Sequence, residues 1–317
     1  MTRYVIRRLL LLIPVLFGVT LIVFFSIRLV PGDAAMSLVE NANQTSDRQV
    51  IDKLRKDLGL DRPAMVQYGS WVGHALRGDL GTAFFGGGSV VSNIGRSAPI
   101  TLELALFSMV IGIAVAIPLG IITAVRADTW ADYLGRFFAV SGLAVPDFIF
   151  GMLMIVLPAM WFHWIPPIIY IPFIEDPLGN LKQFILPAGA VGFRLTSTLA
   201  RMTRSSMLEV LRQDYIRTAW AKGLRERGVI VRHALKNALI APITIIGTQM
   251  GFLIGGTIVI ENIFGLPGMG RLTLLSIERH DYPQLLGNML VFASAAVLVN
   301  LLVDISYGWL DPRIRYS

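Results

Sequence analysis

Leu9–Ile27 reads LLLLIPVLFGVTLIVFFSI, nineteen consecutive residues without a charge. About 20 apolar residues carry a helix across the hydrocarbon core of a bilayer, so this single stretch already makes the chain a membrane protein. Arg3, Arg7 and Arg8 precede it, and Arg28 with the Pro31-Gly32-Asp33 turn closes it. A secretory signal shares the positive leading end, but its apolar region runs only about 7 to 15 residues and ends in a small-residue cleavage site. No A-x-A pattern follows, and an uncleaved first span is expected.

The rest of the composition agrees. Of 317 residues 54% are hydrophobic and 15% charged, against about 25% charged in soluble domains. The absence of Cys excludes a disulfide scaffold, thiolate metal sites and Cys nucleophiles. Further apolar runs are Leu104–Val125, Phe137–Trp161 interrupted by Asp147, Phe184–Ala200 interrupted by Arg194, Ala238–Ile260 and Tyr282–Val303. The expected fold is therefore an all-α membrane protein of six transmembrane helices. Arg194, ten residues into its run, must snorkel or find a partner.

A net charge of +7 and a pI near 9.9 suit either nucleic acid or cytoplasmic loops. Placement decides. Arg126, Arg136 and the series from Arg201 to Lys236 fall on the same side as both termini, whereas the short opposite loops carry Lys182, Arg271 and Arg279. The positive-inside rule then places both termini in the cytoplasm, in a multi-pass protein of a bacterial or archaeal inner membrane, with no nucleic-acid partner. Residues 1–30 make the N-terminus and first span, 31–98 an extracytoplasmic loop, and 99–317 a five-helix core with a cytoplasmic loop at 201–237. Within the outer loop, one short helix opens at Ser46 or Asp47 and stops at Gly59, and another begins at Pro63 and carries Tyr68 and Trp71. Both are expected to cap the outer mouth or to lie in its interface. Gly86-Gly87-Gly88-Ser89 reads as a flexible turn.

No Gly is followed by Lys, so the P-loop is absent. The four histidines are scattered, which excludes HExxH, and G-x-S-x-G does not occur. No catalytic and no metal residue is assigned, and nothing argues for an enzyme. Gly247, Gly251 and Gly255 share one face of the fifth span, as Gly112, Ala116 and Gly120 do on the second; tight helix packing is the simpler reading and a pore lining the other. Thr248 and Gln249 sit near mid-membrane. Asp147, Asn300 and Asp304 are candidate pathway residues, with a cap or ion pair the plainer role for Asp304.

The densest signal is Met207–Gly223, MLEVLRQDYIRTAWAKG. Leu208, Leu211, Tyr215, Ala219 and Lys222 lie three or four apart, and Gly223 supplies a stop, which makes a short amphipathic helix pair. Alone, it suits a membrane-surface helix on anionic lipid equally well.

Arg217-Thr218-Ala219-Trp220-Ala221-Lys222-Gly223, followed by Leu235, resembles the EAA loop of ABC-importer permeases of the dipeptide, oligopeptide and nickel branch. Pro31-Gly32-Asp33, Leu58 to Pro63, Gly78-Asp79-Leu80-Gly81, Phe264 to Arg271, Asp281-Tyr282-Pro283 and Asp311 to Arg315 support it in order along the chain. Arg217, Thr218, His233 and Lys236 depart from the general EAA pattern, as they do in the peptide branch. The long first loop resembles the first of the two permease subunits in those systems.

The resemblance implies a type I importer architecture, with ATPase coupling through Asp214, Tyr215, Ile216, Arg217, Thr218, Ala219, Lys222, Gly223 and Leu224. The implied partners are a second permease subunit, two ATPase subunits or domains that hold ATP and Mg, an extracytoplasmic substrate-binding protein, and membrane lipid. No cofactor is expected on this chain. Peptide is the cargo first expected, with nickel chelates, glutathione or another small solute as alternatives. A stand-alone secondary transporter would need paired midplane ionisable residues or inverted repeats, and the sequence alone reveals neither.

Overall fold

The computed structural model describes residues 2–29, 32, 34–41 and 48–310. The elements in order are α1 (Thr2–Ile27), α2 (Ala34–Asn41), α3 (Arg48–Asp57), α4 (Ala64–Ala75), α5 (Val90–Val125), α6 (Trp130–Ala144), α7 (Asp147–Phe162) and α8 (Pro177–Leu211). After these come α9 (Asp214–Ala221), α10 (Glu226–Gly228), a π-helical turn (Val229–Ala234), α11 (Leu235–Ala238), α12 (Ile240–Gly256), α13 (Ile258–Ile263), α14 (Met269–Glu278) and α15 (Tyr282–Leu310). Among the described residues the β-structure amounts to one isolated bridge, between Thr82 and Ser89.

Three stretches are long and apolar enough to cross a membrane unaided, Leu10–Ile27, Val90–Val125 and Tyr282–Val303. Two more qualify only as bent pairs, Trp130–Ala144 with Asp147–Phe162 at 109° and Glu226–Ala238 with Ile240–Gly251 at 49°. The described residues thus hold three to five candidate spans where six were expected. The expected fourth lies inside α8, where Arg194 and the Thr196-Ser197-Thr198 run lower the hydropathy.

Phe137–Trp161 is not one helix, contrary to expectation. Pro146 has no amide hydrogen to donate, and its ring drives the preceding residue out of the helical region. Val145 accordingly is extended, at φ −87° and ψ 124°, and α7 starts afresh after it. Asp147 is therefore the first residue of a helix instead of an interruption within one.

The chain divides into two compact units, with boundaries inside α5 and α15. One comprises Met1–Thr101 and Pro267–Leu301. Here α4 packs on α1, and Tyr68 is the wedge: it is buried, its ring lies 5.2 Å from that of Phe24 and 5.9 Å from that of Phe17, and its hydroxyl pairs with Thr20 Oγ1 at 2.9 Å. Tyr68 is thus a core residue of this unit, its hydroxyl paired internally as a buried phenol requires. Helix α4 begins after Pro63 as expected, whereas Ser46 and Asp47, the proposed caps of α3, lie outside the described residues.

The glycine tract forms a tight turn, with Gly86 and Gly87 at φ of +82° and +65° and the Ala83 amide donating to Gly88 O at 2.9 Å. Asp281 holds it: this buried carboxylate accepts from the Phe85 amide at 3.1 Å and from the Gln284 amide at 3.2 Å, the second bond capping α15. Burial pushes the Asp281 carboxyl up from its ordinary value, against the opposing effect of the amides it accepts from. A buried polar chain continues inward, from Asn93 to Gln284 at 2.9 Å, on to Asn288 at 2.9 Å, and from Asn288 to Thr273 at 3.1 Å.

The other unit comprises Leu102–Leu266 and the run from Leu302. Its axis is α8, started by Asp176, which accepts from the Gly179 amide at 2.9 Å, and by Pro177 at its first turn. Small residues let α5 and α8 touch backbone to backbone. A Cβ at Gly112 would stand 2.8 Å from Leu195, one at Gly120 2.5 Å from Thr203 and 2.9 Å from Ala200 O, and one at Gly192 2.8 Å from Ser108 O. Ala116, between the first two, is fully buried. Glycine at these points is a packing requirement.

Candidate functional site

Two regions of the second unit gather the residues that the sequence singles out. In the first, Gly223, at φ +75°, terminates the turn after α9 as a left-handed stop. Helix α9 has two distinct faces. Ile216 and Ala219 point inward and join Met207, Val229, Ala234, Ala238 and Ala124 in an apolar cluster. Asp214, Arg217, Thr218, Lys222 and Leu224 are exposed, as are Tyr215 and Trp220. The Tyr215 hydroxyl accepts from Asn237 Nδ2 at 2.8 Å, which ties α9 to α11. Thr218 Oγ1 donates to Asp214 O at 3.0 Å, and the Arg217–Asp214 pair at 3.5 Å is solvated.

A solvated pair of this kind contributes little to stability. What fixes α9 is burial of its inner stripe. The outer face, two aromatic rings and a leucine rimmed by charge, is left without an internal partner in the cluster beneath it. Trp220 did not figure among the residues first assigned a role, although an exposed tryptophan on a short amphipathic helix is itself a recognisable signal.

In the second region, Asp147, Arg194, Gln249, Thr198 and Leu253 line a cavity of about 210 Å³. Arg194 Nη1 donates to Asp147 Oδ2 at 3.4 Å, with the arginine side chain 53% and the aspartate 34% exposed. A partner for Arg194 is thus Asp147, a pairing that the sequence alone does not reveal. Both charges remain accessible from the cavity.

Of the other candidates, Asn300 is exposed and does not line this cavity, and the side chain of Asp304 lies outside the described residues. Gly247 approaches α15, where a Cβ would stand 2.5 Å from Val303 Cγ1; a Cβ at Gly255 would meet nothing within 4 Å, and Gly251 is half-buried. Thr248 donates to its own helix, to Ile245 O at 3.0 Å.

The sequence also missed a buried ion pair at the far end of α8. Asp132, fully buried, accepts from Arg204 Nε and Nη2 at 2.8 Å each and lies 3.2 Å from Arg136. Its bidentate partner stands 72 positions away in the sequence.

Residues 116–316 match the family described as binding-protein-dependent transport system inner membrane component, and residues 1–105 match that described as Binding-prot-dependent transport system membrane comp, N-term. The chain belongs to this family. It is the permease subunit of an ABC importer, an integral inner-membrane component that is not itself an enzyme and acts with partner ATPases. A protein of Brucella abortus (strain 2308), provisionally named a peptide transport system permease protein, is 40% identical over 317 residues, covering 100% of both chains. The glutathione transport system permease protein GsiC of Escherichia coli O6:H1 (strain CFT073) is 39% identical over 317 residues, again covering 100% of both. A crystal structure of an amino acid ABC transporter with histidines superposes with a TM-score of 0.53 at 11% identity, over 71% of this permease and 95% of that chain, which supports the fold alone.

Proposed function

We propose that this permease lines half of the path taken by a di- or oligopeptide, or by a peptide-like solute such as glutathione, and that the outer face of α9 is the surface held by the ATPases. The two-sidedness of α9 carries the coupling reading: an inner stripe locked into the unit, and an outer face of Tyr215, Trp220 and Leu224 beside Arg217 and Lys222. A rigid lever needs both. Movement of the ATPases, which bind ATP and Mg, then passes through the Ile216 and Ala219 packing into α8 and α11 and biases a two-state equilibrium of the membrane helices. The partners in this reading are a second permease subunit, two ATPase subunits or domains, and an extracytoplasmic substrate-binding protein. The excess of basic residues at 201–237 supports a cytoplasmic position for α9 and for both termini.

The cargo reading rests on the names of the full-length relatives and on the charge pair. A zwitterionic peptide brings a carboxylate for Arg194 and an ammonium for Asp147. As the pair opens, each charge exchanges one partner for another and none is left desolvated alone, which is the costly alternative within a membrane. Gln249 and Thr198 add neutral hydrogen-bonding groups to the same cavity.

The test is reconstitution with all partners, measuring uptake of a labelled dipeptide and ATP hydrolysis in parallel. Asp147→Asn and Arg194→Gln are expected to lower uptake while loaded binding protein still stimulates hydrolysis. Unchanged uptake in both would overturn the pathway role, and absence of ATP-dependent peptide uptake by the wild-type complex would overturn the cargo class.

A further inference from the structure

A second cavity, of about 710 Å³, opens between the end of α5, the middle of α6 and the last turns of α8. Its wall is mixed: Leu119, Ala139, Val140 and Leu208 contribute apolar surface, and Arg136, Arg201, Arg204 and Arg212 contribute positive charge. Against these four arginines stand Glu209 on the wall and Asp132 behind it, leaving an excess of two positive charges. Arg204 is committed to Asp132, whereas Arg201 and Arg212 are exposed on the rim.

An independent observation supports a position for this cavity at the edge of the bilayer. Trp130, Tyr133 and Phe137, on α6, are 80%, 53% and 72% exposed. Aromatic rings of this kind concentrate where hydrocarbon meets headgroups. Helix α5 leaves its apolar run at the same place, ending at Val125 before Arg126. A cavity at that depth, lined by aliphatic side chains and arginines together, matches a molecule that is anionic at one end and aliphatic at the other. Guanidinium groups bind phosphate oxygens bidentately, and basic pockets between membrane helices hold anionic headgroups by this chemistry.

We propose that this cavity is a binding site for the phosphate headgroup of an anionic phospholipid, held by Arg201 and Arg212 with Arg136 behind them, its acyl chains lying along the exposed face of α6. The site stands next to Gln213 and the start of α9, so an occupied headgroup would brace the segment that carries α9. It does not depend on which solute is transported.

The experiment uses the assembled transporter in nanodiscs of phosphatidylcholine alone or mixed with phosphatidylglycerol, with native mass spectrometry reading the phosphatidylglycerol retained after transfer to detergent. Wild type is expected to retain it. Arg201→Gln/Arg212→Gln is expected to hold it about thirtyfold more weakly, as loss of two arginines near a headgroup implies. Arg225→Gln/Arg227→Gln, which removes equal charge from the exposed loop after α9, should retain it as wild type does. If the double variant fails to assemble, Arg201→Gln alone should show an intermediate loss. Inorganic phosphate added to phosphatidylcholine nanodiscs should neither stabilise the complex nor displace the lipid. Equal retention by wild type and the rim variant would overturn the site, as would no retention by wild type, the result expected if a partner subunit covers the cavity. Displacement by inorganic phosphate would make it a free-anion site instead.

Discussion

Arg204 grips Asp132 with two parallel hydrogen bonds of 2.8 Å, from Nε and Nη2, across 72 residues of sequence. The carboxylate is fully buried, and this guanidinium is its bidentate partner, with Arg136 at 3.2 Å as a second cation. Arg204→Leu leaves the buried charge to Arg136 alone, which should cost less than the about 3 to 5 kcal/mol typical of a buried charge left with no partner. The variant should unfold in detergent well below wild type, whereas Asp132→Asn/Arg204→Leu should recover part of the loss. A thermal scan showing the single and double variants equally destabilised would mean that the pair contributes only packing.

Gly120→Ala tests the contact between α5 and α8. Its Cβ would stand 2.5 Å from Thr203 Cβ and 2.9 Å from a backbone oxygen, and overpacking of this kind costs about 1 to 3 kcal/mol. Gly255→Ala meets open space and should be neutral or slightly stabilising, since alanine favours helix by up to about 1 kcal/mol. Equal melting temperatures for the two variants would refute the close approach at Gly120.

On α9, the two faces predict opposite phenotypes. Ala219→Glu places a carboxylate in the buried cluster and should lower yield and melting temperature of the permease itself. Trp220→Ala and Leu224→Asp alter exposed side chains and should leave melting unchanged while reducing stimulation of ATP hydrolysis by loaded binding protein. Full stimulation in both surface variants would remove the outer face from the coupling interface.

Asp281 predicts a pH dependence whose sign follows from its raised pKa. A buried acid with a raised folded-state pKa contributes stability that is complete below the unfolded value, about 3.9, and is lost as pH rises through the folded one. Asp281→Asn keeps an acceptor for the Phe85 amide and cannot ionise. Wild type should therefore lose stability relative to Asp281→Asn as pH rises above the unfolded value; a difference that stays constant with pH would show that the carboxyl is not perturbed.

The apolar spans and the Gly223 stop were legible because hydropathy and backbone preference are local properties, readable a few residues at a time. The break at Pro146 was equally local and was passed over, since the interruption was read at Asp147 beside it and the long apolar stretches on both sides suggested one span. Charge pairing was not local. Asp147 and Arg194 are separated by 47 positions, and each was visible as a misplaced charge in an apolar run, yet only the packing of α7 against α8 made them partners. The same holds for Asp132 with Arg204, and for Asn93 reaching Gln284 across 191 positions. Sequence by itself determined which segments leave water; the tertiary structure decided which polar groups they take with them, because a buried charge or amide is tolerable only where a distant helix supplies its counterpart.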